Sequence, residues 1–249
     1  MNLILIYFAY KYKGYFHDIY KAIKNREYVP LEEINKIKHK LETNQIKAIT
    51  IVDDDYPEAL KLINNPPFVL FYKGNKELLK DDLILFTGEF ENKLIRNFTF
   101  ESLEEISKYH TIVNNGYQGL DGTIIDALIK NNKKLIIVSP NGTKDPYINC
   151  TNIDFSTSNN VLLISEFPEE SVINKKRLIE RNHLSMGISQ FLIIASSKKK
   201  GPITNLVSFA LEQGKDIYCF PGLQMEDDGN NELINDGAKM IRTIKELRN

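Results

Sequence analysis

Six short apolar runs set the limits on how this chain can fold: "LILFTGE" (83–89), "TIVNNG" (111–116), "KLIIVSP" (134–140), "VLLISEF" (161–167), "QFLIIASS" (190–197) and "KDIYCFPG" (215–222). Each has the length of a strand, is rich in aliphatic residues, and lacks the strict alternation of a strand with one wet face. Between most of them lie stretches of helix length, such as "SLEEISKY", "DGTIIDALIKNN" and "NLVSFALEQG". Near-continuous apolar strands separated by helices are the signature of a parallel sheet covered on both faces. The expected class is therefore α/β, a Rossmann-like, doubly wound, mostly parallel sheet. Two further runs, Ile46 to Val52 and Val69 to Tyr72, read as additional strands.

The first 45 residues have a different texture. Apolar residues recur at helical spacing in "FHDIYKAIKN" and "LEEINKIKHKLET", where Pro30 suits the start of a helix and Glu32 and Glu33 suit its first turn. This predicts a small helical domain over 1–45 and a Rossmann-like domain over 46–249. The opening "MNLILIYFAY" carries no basic region and no small-residue cleavage site, so it reads as a buried first helix rather than a signal peptide. No apolar run approaches the roughly 18 residues needed to span a bilayer, and a cytoplasmic location is expected. Cys150 and Cys219 are too few and too far apart for a disulfide framework or a zinc site.

A formal net charge of -1 does not announce a polyanion partner. The charge is unevenly spread, however: "NKKRLIER" and "SSKKKG" are locally basic, against acidic "DDDYPE" and "MEDDGNNE". Either a positive patch or plain solvated loops satisfies this pattern. In doubly wound sheets, ligands bind beyond the carboxyl ends of the strands. The turns there are Thr87-Gly88-Glu89, Asn114 to Asp121, Ser139 to Gly142, Ser165-Glu166, Ser196 to Gly201 and Pro221-Gly222. Glycine lets backbone amides approach an anion at a helix N-terminus, which points to phosphate; turn geometry alone also favours Gly, Ser and Asn. No loop carries G-x-G-x-x-G or G-x-x-x-x-G-K-[ST], so ordinary dinucleotide or P-loop chemistry is not expected, nor is any cofactor. No nucleophile and base are paired by spacing, so no enzyme is visible.

Six motifs occur in order between Tyr56 and Ala238: "YPEALKLINNPPFVLFYKGN", "GLDGTIIDAL", "LLISEFPE", "ERNHLSMGIS", "FALEQGKDIYCFPG" and "GNNELINDGA". Together they resemble the DNA-processing protein A family, DprA or Smf. The resemblance implies an extended Rossmann-like domain that binds single-stranded DNA, dimerises, and acts in natural transformation by loading the RecA recombinase. It also implies that the N-terminal helices correspond to a reduced helical domain. The chain ends soon after Gly237-Ala238, so the winged helix that many members carry at the C-terminus is expected to be absent.

Several positions depart from the family pattern. Where the family has a Gly-Ser/Thr-Arg turn that holds a phosphate, Gly88 is followed by Glu89 and Phe90; Asn114-Asn115 replace a Ser-Gly pair; Arg-Asn-Arg reads Arg181-Asn182-His183. A Ser-Gly-Ser...Thr loop becomes Lys200-Gly201-Pro202-Ile203-Thr204. The residues expected at DNA are Gly88, Gly119, Asp121, Lys175, Lys176, Arg181, Asn182, His183, Lys198, Lys199, Lys200, Gly201 and Thr204, with Tyr117 or Phe90 stacking on bases. On this reading Arg181, Asn182 and His183 cap the helix before the strand at 190–196, and Arg181 is either a phosphate clamp or a structural brace. Leu233, Ile234 and Met240 are the candidates for a dimer patch. Two other classes stay open: an enzyme acting on a small phosphorylated ligand, and a degenerate member kept for protein contacts.

Overall fold

The computed structural model describes residues 2–149, 153–155, 158–168, 172–222 and 227–248. Its N-terminal part is helical: α1 (Leu3–Lys11), α2 (Phe16–Lys24) and α3 (Leu31–Thr43). The Asn2 side chain caps α1 by accepting from the N–H groups of Ile4 and Leu5. Leu5 to Ala9 are buried, as expected for the apolar opening. Pro30 precedes α3, whose first turn holds Glu32 and Glu33.

Strands and helices then alternate: β1 (Lys47–Thr50), α4 (Glu58–Lys61), β2 (Val69–Gly74), β3 (Leu83–Gly88), α5 (Lys93–Ile106), β4 (Thr111–Asn114), α6 (Leu120–Lys130), β5 (Leu135–Val138) and β6 (Val161–Ser165). The chain continues with α7 (Lys175–Ile188), β7 (Phe191–Ser196), α8 (Thr204–Glu212), β8 (Ile217–Cys219), α9 (Asn230–Asn235) and β9 (Lys239–Met240). The nine strands among the described residues join one sheet in the order β1-β2-β6-β5-β4-β3-β7-β8-β9. From β6 to β9 every pairing is parallel, whereas β1 and β2 add an antiparallel edge. The doubly wound expectation holds.

Alternate residues of each strand enter different cores, as the two-residue period of a strand requires. Ile84 and Phe86 face α5 and α6 with Ile95, Phe98, Leu120 and Ile124. Leu83 and Leu85 face α4, α7 and α8 with Leu60, Leu184, Met186 and Leu206. The helices α1 to α3 form a third cluster on Val69 and Phe71 of β2. Because Lys73 pairs with Leu163, which faces α5 and α6, Phe71 points to that same side of the sheet.

Leu233 and Ile234 of the expected dimer patch are half-buried, packing on one side against the core, and Met240 is exposed. Cys219 is fully buried in β8, and burial pushes its thiol up to about 12, while Cys150 lies outside the described residues. Among the described residues no helix is long and apolar enough to cross a membrane.

Candidate functional site

The strands β3 and β7 are parallel neighbours, yet the helices that follow them cover opposite faces: Ile95 of α5 belongs to one core and Leu206 of α8 to the other. This is the topological switch point of the sheet, where the connecting loops diverge and leave a crevice. Here the register slips, with Thr87 opposite Ile194 and Gly88 opposite Ser196. A bulge of this kind bends the strand and re-aims the loop beyond it. Gly88 fits because a Cβ there would lie 2.6 Å from Leu120 and 2.8 Å from the Ser196 hydroxyl.

The two loops are tied together. The Glu89 N–H donates to the Ser196 carbonyl at 3.0 Å. The Ser196 hydroxyl donates to the Phe90 carbonyl at 2.6 Å and accepts from the Phe90 N–H at 3.2 Å. The Glu89 carboxylate then reaches across and accepts from the backbone N–H of Lys198 and, at 2.9 Å, from that of Ile203.

Beside this contact Asp121, in the first turn of α6, organises the turn after β4. One carboxylate oxygen accepts from the Thr87 hydroxyl at 2.7 Å, the Asn114 amide at 3.1 Å and the Gly88 N–H at 3.4 Å. The other accepts from the Tyr117 N–H at 3.1 Å. Burial pushes this carboxyl up, and the Thr87, Tyr117 and Asn114 hydrogen bonds and the Arg181 charge pull it back. Asp121, expected at the DNA, thus faces inward as an anchor of the backbone. Gly119 precedes α6 at φ +90, where an added Cβ would lie 2.2 Å from the Glu89 carbonyl oxygen; only glycine suits that conformation and approach.

Arg181 and Asn182 come from the middle of α7, not its start, which Asn174 caps by accepting from the Arg177 N–H at 3.0 Å. Both are buried. Arg181 donates through Nε and Nη2 to the Asn182 side-chain oxygen at 3.3 and 3.1 Å, and through Nη1 to the Asn115 carbonyl at 3.3 Å. Asn115 donates its side-chain amide to the same Asn182 oxygen at 3.1 Å. The guanidinium carbon sits 5.7 Å from the centre of the Tyr117 ring. Burial lowers Arg181 to about 10, with Asp121 opposing, so it stays charged at neutral pH. Arg181, Asn182, Asn115 and Tyr117 line a cavity of about 30 Å³ together with Gly88 and Glu89. Arg181 is therefore a brace that also faces the crevice.

His183 does not join them. One residue is 100° of helix, so its ring turns to the other side of α7 and packs edge-on against Phe209, 5.2 Å between centres. Burial lowers its pKa.

The lysines are exposed, but they are not equivalent. Lys198, Lys199 and Lys200 form the turn after β7, with Lys200 at φ +54 and the Gly201 N–H donating to the Lys198 carbonyl at 3.0 Å. Lys199 lies 3.5 Å from Glu232. Thr204 starts α8, and its hydroxyl donates to the Gly201 carbonyl at 2.8 Å. Lys175 and Lys176 start α7, about 9 and 7.5 Å along its axis from Arg181, and the Lys176 ammonium sits 3.8 Å from the Tyr15 ring centre. Phe90 packs against the apolar core, which leaves Tyr117 as the better placed ring for stacking.

Sequence reasoning missed the bonds of Glu89, Ser196 and Asn115, and two further buried charged side chains, Glu166 and Arg177. Glu166, just past β6, is buried, with one carboxylate oxygen unpartnered among the described residues. Buried Arg177 lies over the Phe167 ring at 4.5 Å, and its Nε and Nη1 are likewise unpartnered. A larger concavity of about 810 Å³ lies between α5 and α6, lined by Arg96, Glu104, Asp126 and Lys130 among others; its mixed charges do not favour a polyanion. Among the described residues no His, Cys, Asp or Glu cluster is arranged for a metal.

Comparison with known proteins agrees with this architecture. The profile of a family described as DNA recombination-mediator protein A matches residues 47–249. The DNA processing protein DprA of Bacillus subtilis is 31% identical over 212 residues, covering 81% of this chain and 70% of that protein. That of Streptococcus pneumoniae is 27% identical over 210 residues, covering 83% and 74%. Its X-ray structure superposes with a TM-score of 0.73 at 22% identity, over 99% of this chain and 92% of that one. A structure of the Helicobacter pylori DNA processing protein A, described as showing a single-stranded DNA binding mode, gives 0.70 at 23% identity, over 82% and 94%. With the profile spanning the whole sheet and a relative above 30% identity, this chain belongs to the DNA recombination-mediator protein A family.

Proposed function

We propose that this chain is a non-catalytic binder of single-stranded DNA that holds the strand across the switch-point crevice. The observation that carries it is the buried Arg181 guanidinium, fixed beside the Tyr117 ring and facing the cavity at the carboxyl ends of the central strands. Three of its five N–H groups are used within the protein, which leaves two for a phosphate oxygen. The lysines at 175–176 and 198–200 are exposed and add positive charge to this end of the sheet. A strand would stack on Tyr117 while the lysines supply charge without reading sequence. In the cell the protein would work in the cytoplasm as a homodimer, handling strands taken up in transformation and handing them to a RecA recombinase. The description of the Helicobacter pylori relative supports the ligand, and family membership supports the role.

Fluorescence anisotropy with a labelled oligonucleotide tests this. Single strands should bind more tightly than a duplex of equal length, with a log-log salt slope of roughly -0.7 per phosphate neutralised. Replacing Lys198, Lys199 and Lys200 together by alanine should flatten that slope by up to about three such increments. Equal affinity for duplex, or binding indifferent to salt, would contradict the proposal.

A further inference from the structure

The Glu89 carboxylate sits where an anion would. Its oxygens accept from the backbone N–H of Lys198, just past β7, and of Ile203, the residue before α8. The Ile203 amide lies at the start of α8, where the helix dipole favours negative charge, and the Lys198 amide converges on the same carboxylate from the turn after β7. The loop is shaped around the carboxylate: a Cβ on Gly201 would lie 2.3 Å from one of its oxygens. It also spans the switch point, joining the loop after β3 to the loop after β7, where open α/β sheets admit their ligands. Glu89 is partly exposed and lines the same small cavity as Arg181, so solvent and ligand can reach it.

We propose that Glu89 is a built-in substitute for a phosphate group, an intramolecular plug that fills the anion seat before α8 and holds the crevice closed. This rests on the reading of the crevice as a phosphate-binding surface. It accounts for a cavity of only about 30 Å³ at the switch point. A strand in contact with Arg181 gains the seat only when the carboxylate swings out, and the two anions compete for the same two amides.

The test is a titration of the full-length, ¹⁵N-labelled protein with inorganic phosphate and with a short oligothymidylate, reading the amide signals of Lys198 and Ile203. In the parent these signals should not respond to inorganic phosphate. In Glu89→Ala they should shift saturably, and oligonucleotide affinity should rise roughly tenfold, the worth of one charge-assisted hydrogen bond. Glu89→Gln, which keeps an acceptor but no charge, should respond in between and preserves the link if the alanine variant folds poorly. The double variant Glu89→Ala/Gly201→Ala puts a methyl into the emptied seat and should lose the phosphate response while staying folded. Absence of a saturable shift in both Glu89→Ala and Glu89→Gln, or an equal shift in the parent, would overturn the plug. A shift with inorganic phosphate but none with oligonucleotide would support the plug and reject DNA as the ligand, so the two readings fail separately.

Discussion

Asp121→Ala is expected to cost at least about 3 kcal/mol of stability, since a buried donor left without its acceptor costs about 1–3 kcal/mol and this carboxylate serves several. The Thr87 hydroxyl, the Asn114 amide and the N–H groups of Gly88 and Tyr117 all donate to it. The buried Arg181 would also lose the negative charge that offsets its own desolvation. Urea unfolding should show the midpoint falling by about 1 M for an m-value near 3 kcal/mol/M. Asp121→Asn keeps an acceptor for the Thr87 side but presents an amide to a donor on the other, so its loss should be smaller. An alanine variant as stable as the parent would remove Asp121 as the organiser of the turn.

The second large effect is on pH dependence. Burial pushes Glu166 from 4.5 up to about 8, with the Glu180 charge adding to the rise and Arg177 opposing it. Between these two values the folded carboxyl holds a proton that the unfolded chain has released. Stability therefore falls as pH rises through that window and levels off above about 8. The total reaches roughly 4–5 kcal/mol if the whole shift is expressed. The residue lies where the N-terminal helices meet the sheet: a Cβ on Gly14 would be 2.7 Å from the Glu166 carbonyl oxygen, and Tyr15 packs edge-on against Phe167. Deprotonation should thus loosen that seam first. Urea melts of the parent and Glu166→Gln at pH 5 and pH 8.5 check this: the parent should lose much more stability between them than the variant. Parallel losses would show that Glu166 does not carry the dependence.

The sheet was legible because both-sided burial leaves little freedom to the strands: the six apolar runs contain the strands β3 to β8. The antiparallel edge and the two-residue β9 were not, since direction and short pairings depend on tertiary contacts that local pattern does not encode. At the site, the glycines at 88 and 119 could be read from the need for close approach. The placement of Arg181 was readable in principle: Arg177, Arg181, Leu184 and Ile188 follow helical spacing on one buried stripe, and Asn174 marks the cap. That same spacing turns His183 away. Glu89 was read only as a lost cation, because its partners are backbone amides 109 and 114 residues along the chain, and no side-chain pattern announces them.

The location of the strand is tested most directly by photo-cross-linking. An oligonucleotide carrying bromodeoxyuridine, irradiated with the protein and mapped by mass spectrometry, should attach to peptides containing Tyr117 and the 196–204 loop. Attachment confined to the groove between α5 and α6, or to the N-terminal helices, would contradict the account.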